Sequence, residues 1–427
     1  YEDVRTAIGE AMQNKIVKYT HYPKIIGGRY GLGSAEFTPA MVKAVFDNIA
    51  SASPKNKFAI GVNDDVTKNS LDFDPSFSVE HADVYRALFY GLGSDGTVGD
   101  NHNSIKIIAN LTENNTQGYF VYDSKKAGTM TVSHLRFGKN PIRRPYLVST
   151  ANFLACHNFS FLDKYDMLKN LQEGGTFLLT SEFDKDTVWS KLPGFVQKQI
   201  IDKKLNFYVI DAIALAQELG LGGRINVIMQ TAFFSISKVI DDAVAIKAIK
   251  DATIKTYGKK GQEVIDMNLA AIDKAIERIQ KVTVPATMTN PVTEIKAVPD
   301  FAPAFVKEVT AKILKQEGTS VPVSAMPADG VWPTGTSQYE KRNIAVQIPV
   351  WNKDACIQCG RCVRFTEEIS GDSQLAFRFR GASMQPATFQ LTDFQSKFSG
   401  NVIEICPVGA LTSASYRFRA RPWDLET

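Results

Sequence analysis

The sequence predicts an α/β protein: a mostly parallel sheet domain with flanking helices, followed by an extended arm and a small cysteine-bearing domain. Three observations carry this. Short β-branched and aromatic runs alternate with helical patterns from about residue 80 to 285, the signature of a sheet covered on both faces. Prolines at 285, 291, 299, 303, 322, 327, 333 and 349 then punctuate a stretch with no long periodic segment. Four of the five cysteines lie between Cys356 and Cys406.

In chain order, Tyr1–Asn14 has helical periodicity, Pro23–Gly28 reads as a short strand, and Phe58–Val62 as another. Thr38 before Pro39 has the chemistry of an N-cap followed by a first-turn proline. This piece, residues 1–78, is too small to hold much of a core by itself. In residues 79–285, strands are expected at Ala82–Tyr90, Gly118–Asp123, Thr129–Leu135, Tyr146–Thr150, Thr176–Leu179 and Leu205–Asp211. A helix through Ile105–Asn110 follows the first of these, and Ile240–Tyr257 and Gly261–Val282 read as long amphipathic helices. Residues 286–350 form the arm and 351–427 the last segment.

Composition narrows the function. The chain has 427 residues, 44% hydrophobic and 22% charged, with a net charge of +4, an ordinary globular profile that points to neither nucleic acid nor a membrane surface. No apolar run is long enough to span a bilayer, and Tyr-Glu-Asp-Val-Arg at the start is no apolar leader. The few cysteines fit a reducing, cytoplasmic compartment.

Two motifs carry chemistry. Cys356-Ile-Gln-Cys359-Gly-Arg-Cys362, closed far downstream by Cys406-Pro407, has the C-x2-C-x2-C and Cys-Pro pattern that holds a [4Fe–4S] cube. A zinc site ordinarily pairs two ligands on each side, and here the second half has one. A disulfide framework does not suit a long chain with five cysteines. The second motif, Gly91-Leu-Gly93-Ser94-Asp95-Gly96-Thr97-Val-Gly99, satisfies G-x-G-x-x-G between a strand and a helix, where backbone amides attract phosphate. A dinucleotide also needs an acidic residue roughly twenty positions on. Glu113 lies in a polar loop, and Asp123 is followed by Lys125 and Lys126. Those lysines, with Ser133 and Arg136, suit a ligand bearing several phosphates better, while a purely structural turn remains the plain alternative. His134 and Cys156 read as structural residues. The interleaved Phe377-Arg-Phe379-Arg380 and Tyr416–Trp423 put cations and rings near the cysteines, to tune a cluster or to offer a basic docking face.

From Tyr1 to about Val350 the chain resembles pyruvate:ferredoxin (flavodoxin) oxidoreductase, in Ile25–Leu32, Glu36–Phe46, Tyr90–Gly99, Gly118–Lys126, Val132–Gly138, Met229–Phe234 and Glu340–Ile344. The resemblance covers the central third of that family. It implies that residues 1–78 end a transketolase C-terminal-like domain and that 79–285 bind coenzyme A. Gly93, Ser94, Asp95, Gly96, Thr97, Gly99, Lys125, Lys126, Ser133 and Arg136 would then face that ligand. It also implies thiamine diphosphate only in partner domains or subunits, an oligomer, and ferredoxin, flavodoxin or another carrier as redox partner. The last segment departs from that family. Cys356–Phe365, Phe398–Ser413 and Tyr416–Trp423 instead resemble the large iron–sulfur subunit of NADH:quinone oxidoreductase, whose cysteines hold one [4Fe–4S] cluster. The expected function is the coenzyme A-binding and electron-relaying part of a 2-oxoacid oxidoreductase, inactive without the thiamine domains. The alternative is an iron–sulfur adaptor of a respiratory complex without catalysis of its own.

Overall fold

The computed structural model describes residues 1–31, 36–93, 95–123, 130–340, 349–389 and 394–413. The chain forms two compact units, Tyr1–Lys341 and Arg342–Thr427.

The first unit begins with α1 (Glu2–Gln13), β1 (Gly28–Tyr30), α2 (Pro39–Ala50), β2 (Phe58–Ile60) and β3 (Ser70–Leu71). The three strands pair in parallel in the order β1-β2-β3. Thr38 caps α2 as its chemistry suggests, its hydroxyl accepting from the Met41 N–H at 3.3 Å. The strand expected at Pro23–Gly28 lies later, at Gly28–Tyr30, where the missing Cβ of Gly28 lets the Phe58 ring lie against the backbone. Met41, Ala44, Phe58 and Ile60 make a small separate core.

The main sheet follows. Its elements are β4 (Tyr85–Leu92), α3 (Thr97–Leu111), β5 (Asn115–Tyr122), β6 (Met130–Gly138), β7 (Ala151–Cys156), β8 (Leu171–Thr180), α4 (Gly194–Asp202), β9 (Asn206–Ile210), α5 (Ala212–Glu218), α6 (Asn226–Ser237), α7 (Asp242–Tyr257), α8 (Gln262–Arg278) and β10 (Gln280–Lys281). The seven strands run β10-β9-β8-β7-β4-β6-β5. The centre, β4-β7-β8-β9, is parallel, and β5, β6 and β10 add antiparallel edges. Side chains of period two divide the core in two. Ala87, Phe89, Phe153 and Ala155 face α3 and α5 to α8. Leu88, Tyr90, Leu154 and Cys156 face α4 and the short turns beside it.

The strand expected at Tyr146–Thr150 is not one. Its amides are claimed by side chains: Leu147 N–H donates to Glu36 Oε1, and Val148 N–H donates to His134 Nδ1 at 3.1 Å. The strand is Ala151–Cys156 instead. Asp241 fixes the start of α7 by accepting from the amides of Ala243 and Val244 at 3.0 and 3.3 Å.

The proline-rich arm is pinned near its start and again at Val323. Buried Gln197 accepts from the amides of Thr289 and Asn290 at 2.9 and 3.0 Å, and Val323 N–H donates to Asn63 O at 2.9 Å. Its longest helical stretch is a π-turn, Val306–Thr310, running into α9 (Ala311–Leu314).

The second unit contains β11 (Pro349–Trp351), α10 (Arg361–Arg364), β12 (Leu375–Arg378), β13 (Gln385–Thr388), α11 (Ser399–Glu404) and β14 (Leu411–Ser413). Both of its two-stranded sheets are antiparallel, β11 with β14 and β12 with β13. Among the described residues no helix is long and apolar enough to cross a membrane.

Candidate functional site

The cysteine loop is shaped by two left-handed residues. Gln358 and Gly360 have φ of 59° and 71°, which turns the chain sharply twice between Cys356 and Cys362. Gly360 then opens α10, and Cys362 sits buried within it. Cys406 follows α11, and its Sγ accepts from the Leu411 N–H at 3.4 Å. Pairing of β11 with β14 places Trp351 opposite Leu411 and closes that side. Cys356, Cys359, Cys362 and Cys406 thereby line one cavity, whose other walls include Trp351, Phe377, Pro386 and Val408.

These residues fit a [4Fe–4S] cluster. Burial, and after it the neighbouring thiols of Cys359, Cys406 and Cys356, push the Cys362 thiol up to about 11. Four thiolates this close are tenable only around a strongly cationic core. Among the described residues no three His, Cys, Asp or Glu side chains stand close enough to hold a single metal ion. Cys156 stands apart: it is fully buried, donates to Asn158 O at 3.1 Å, and burial pushes its thiol up to about 12.

In the first unit, the glycine loop sits at the carboxyl end of β4, where the chain reverses its direction of travel across the sheet. It runs outward to β5 and β6 on one side and returns to β7, β8 and β9 on the other. In open α/β sheets that is where ligand crevices form. A Cβ on Gly91 would stand 2.3 Å from Thr97 Oγ1, so glycine there seats α3 on the strand end. Gly96, with φ of 88°, is the N-cap of α3, and a Cβ there would press on Asn226 at 2.9 Å. A Cβ on Gly99 would meet nothing within 4 Å.

The other expected ligand residues divide. Asp95 is 6% exposed, and its carboxylate accepts from the Leu92 and Thr97 amides at 2.7 and 2.9 Å. It thereby holds the amide of Thr97, the first residue of α3. Thr97 is buried, with Oγ1 2.6 Å from His157 Nδ1. Ser133 is fully buried in β6, and Arg136 is 1% exposed with its guanidinium bound to Glu80, Gln117 and Leu147 O. Both side chains are buried on β6, which pairs with β4 on one side and β5 on the other, and the Arg136 guanidinium is already held by protein partners. Ser94, Lys125, Lys126 and the segment Tyr416–Trp423 lie outside the described residues.

A polar cluster beneath α3 escaped the sequence reading. Asp100 accepts from Asn226 Nδ2 at 3.1 Å, and Gln230 Nε2 donates to Asp100 O and Ser104 Oγ at 3.0 and 2.8 Å. Burial pushes the Asp100 carboxyl up to about 7, the Asn226 bond opposing it and the Asp95 charge adding to it. Burial also holds His157 below its ordinary value, against the Asp95 charge, and its buried Nε2 has no hydrogen-bond partner among the described residues. No local motif marks this cluster, because its members come from three elements. His134 is structural as expected, held down to about 4 by burial and by Arg136.

Comparison with known proteins matches three segments of the chain. Residues 86–278 match the pyruvate ferredoxin/flavodoxin oxidoreductase family, residues 292–345 a domain of unknown function, and residues 349–412 the ferredoxin-like domain of NADH-quinone oxidoreductase subunit 3. The chain is 53% identical to a pyruvate-flavodoxin oxidoreductase of Nostoc sp. over 95% of its length and 35% of the relative's. It is 52% identical to that of Rhodospirillum rubrum, over 88% of this chain and 31% of the relative. Against the pyruvate:ferredoxin oxidoreductase of Moorella thermoacetica it is 50% identical, over 85% of this chain and 30% of the relative. The chain thus spans about a third of the length of these curated relatives. The resemblance read from the residues therefore holds in both parts: residues 86–278 are similar to the pyruvate ferredoxin/flavodoxin oxidoreductase family, and residues 349–412 to the ferredoxin-like domain of NADH-quinone oxidoreductase subunit 3.

Proposed function

We propose that the chain is the coenzyme A-binding and electron-relaying part of a 2-oxoacid (pyruvate):ferredoxin or flavodoxin oxidoreductase. The convergence of Cys356, Cys359, Cys362 and Cys406 on one cavity carries the reading. A [4Fe–4S] cluster held there takes up and passes on single electrons, while the protein sets its position and potential. Coenzyme A lies at the glycine loop, formed by Gly93, Gly96 and Gly99. Asp95 claims the Thr97 amide, and the Val98 and Gly99 amides belong to the first turn of α3, where amides ordinarily lack an intrahelical partner. Lys125 and Lys126 supply positive charge for the remaining phosphates. Thiamine diphosphate belongs to other domains or subunits, without which pyruvate is not cleaved. The whole works as a cytoplasmic oligomer that hands electrons to ferredoxin, flavodoxin or a similar carrier.

Iron and sulfide analysis, with EPR of the reduced full chain, tests the cluster. About four irons per chain are expected. Cys406→Ser lowers that number and Cys156→Ser does not; equal losses, or zinc in place of iron, overturn the assignment. Calorimetry tests the glycine loop. Coenzyme A binds more tightly than NADH, and replacing Lys125 and Lys126 by Ala together weakens it by about 1–3 kcal/mol. An adaptor without its own catalysis has no need of coenzyme A, so the same titration separates the two readings.

A further inference from the structure

The surface beside Cys359 points to a route by which electrons leave the second unit. Cys362 is buried but Cys359 is exposed, so one corner of the cavity faces outward. Two segments frame that corner. The cysteine loop contributes Ile357, 61% exposed, and Arg361. The end of β12 and the turn after it contribute Phe377 and Phe379, 40% and 58% exposed, with Arg378 and Arg380. The segments are held together: Gln358 Nε2 donates to Ala382 O at 3.0 Å, and a Cβ on Gly360 would stand 3.1 Å from the Phe377 ring. Phe379 adopts φ of 61°, a costly left-handed conformation for a bulky side chain, and the Arg378 guanidinium carbon lies 5.1 Å from its ring centre.

Neither 356–362 nor 375–384 contains an Asp or Glu. Arg361, Arg378 and Arg380 are all exposed, and the neighbouring ion pair joins a different arginine, Arg364, to Glu368. Single exposed apolar residues and single surface arginines are ordinary. Three exposed apolar side chains interspersed with three arginines, beside the exposed corner of the cysteine-lined cavity, make a patch of the mixed apolar and charged kind that docking sites use.

Building on the cluster reading above, we propose that this face docks a soluble one-electron carrier. The carrier presents an apolar patch rimmed by carboxylates over its own redox centre, and electrons leave by the Cys359 corner. In the transfer the cluster is oxidised by one electron and the carrier reduced by one, with no bond made or broken.

The test uses the full chain with its cluster, reduced by dithionite and mixed by stopped flow with two probes. One is an acidic flavodoxin. The other is a small uncharged quinone, which needs no docking. The flavodoxin rate constant should fall roughly ten-fold or more from low to high salt. Arg378→Glu with Arg380→Glu should lower the low-salt rate by about the same factor and flatten the salt dependence. Phe379→Ala should slow flavodoxin at every salt concentration. The quinone rate and the EPR signal should stay unchanged in each variant. A flavodoxin rate indifferent to charge reversal, with the EPR signal intact, overturns the docking face and leaves the cluster standing. Equal slowing of flavodoxin and quinone also overturns it, because the arginines would then act on the cluster. A wild-type chain without any iron–sulfur signal overturns the cluster reading and this proposal with it.

Discussion

Arg136→Met separates a guanidinium that braces the sheet from one that binds a phosphate. The arginine side chain is 1% exposed and that of Glu80 5%. Nε donates to Glu80 Oε1 at 2.8 Å, with Nη2 2.7 Å from the same oxygen. Nη1 donates to Gln117 Oε1 at 3.2 Å and Nη2 to Leu147 O at 3.0 Å, while the Tyr146 ring centre lies 5.0 Å away. Methionine fills much of the space but strands the Glu80 carboxylate, whose remaining cation is Arg144 Nε at 3.8 Å. Removing one partner of a buried ion pair costs about 3–5 kcal/mol, most of it from the uncompensated charge left behind. Urea unfolding of the full chain, followed by circular dichroism, should show a loss of that size. Glu80→Gln combined with Arg136→Met should cost less than Arg136→Met by itself, since the buried carboxylate is then neutral. Coenzyme A affinity of the folded variant should be unchanged. A stability loss below about 1 kcal/mol, together with a ten-fold or greater loss of coenzyme A affinity, would falsify the bracing role.

Three further outcomes are expected. Asp100 keeps a proton in the folded chain up to about 7, whereas an unfolded aspartate releases it near about 4. Between those values the folded state binds more protons, so stability should fall as pH rises from about 4 to about 7, by up to about 4 kcal/mol, and then level off. Asp100→Asn should flatten that slope in urea titrations at several pH values; an unchanged slope would assign it to other groups. Gly96→Ala should cost more than about 2 kcal/mol, because the left-handed conformation is joined by contact with Asn226. Gly222→Ala, also left-handed but with open space around it, should cost only about 1–2 kcal/mol, and equal losses would show that packing at Gly96 is immaterial. Cys156 should resist alkylation in the native chain and react only on unfolding, a difference that timed mass spectrometry reads out.

Local chemistry made several elements legible. The Thr38 cap, the glycine that starts α3, and the periodicity of α7 and α8 are decided within a few residues, by hydrogen bonds and burial that neighbours in sequence provide. Residues 146–150 misled for the opposite reason. Tyr-Leu-Val-Ser-Thr has strand-forming chemistry, but its amides are taken by Glu36 and His134, which no local window contains.

The cysteine spacing by itself singled out Cys356, Cys359, Cys362 and Cys406 as one set, because three thiols on a seven-residue loop and a fourth before a proline form a pattern that few cofactors use, and the structure lines one cavity with all four. The glycine loop likewise announced a helix start beside a strand end. Tertiary structure alone decided the rest. It set the antiparallel edges of the sheet, since strand order is settled by which faces bury together. It spent Arg136 on Glu80, 56 positions away, and turned Asp95 back onto its own helix. A side chain's charge can be read from sequence, but whether that charge is already neutralised depends on partners that only folding brings within 3 Å.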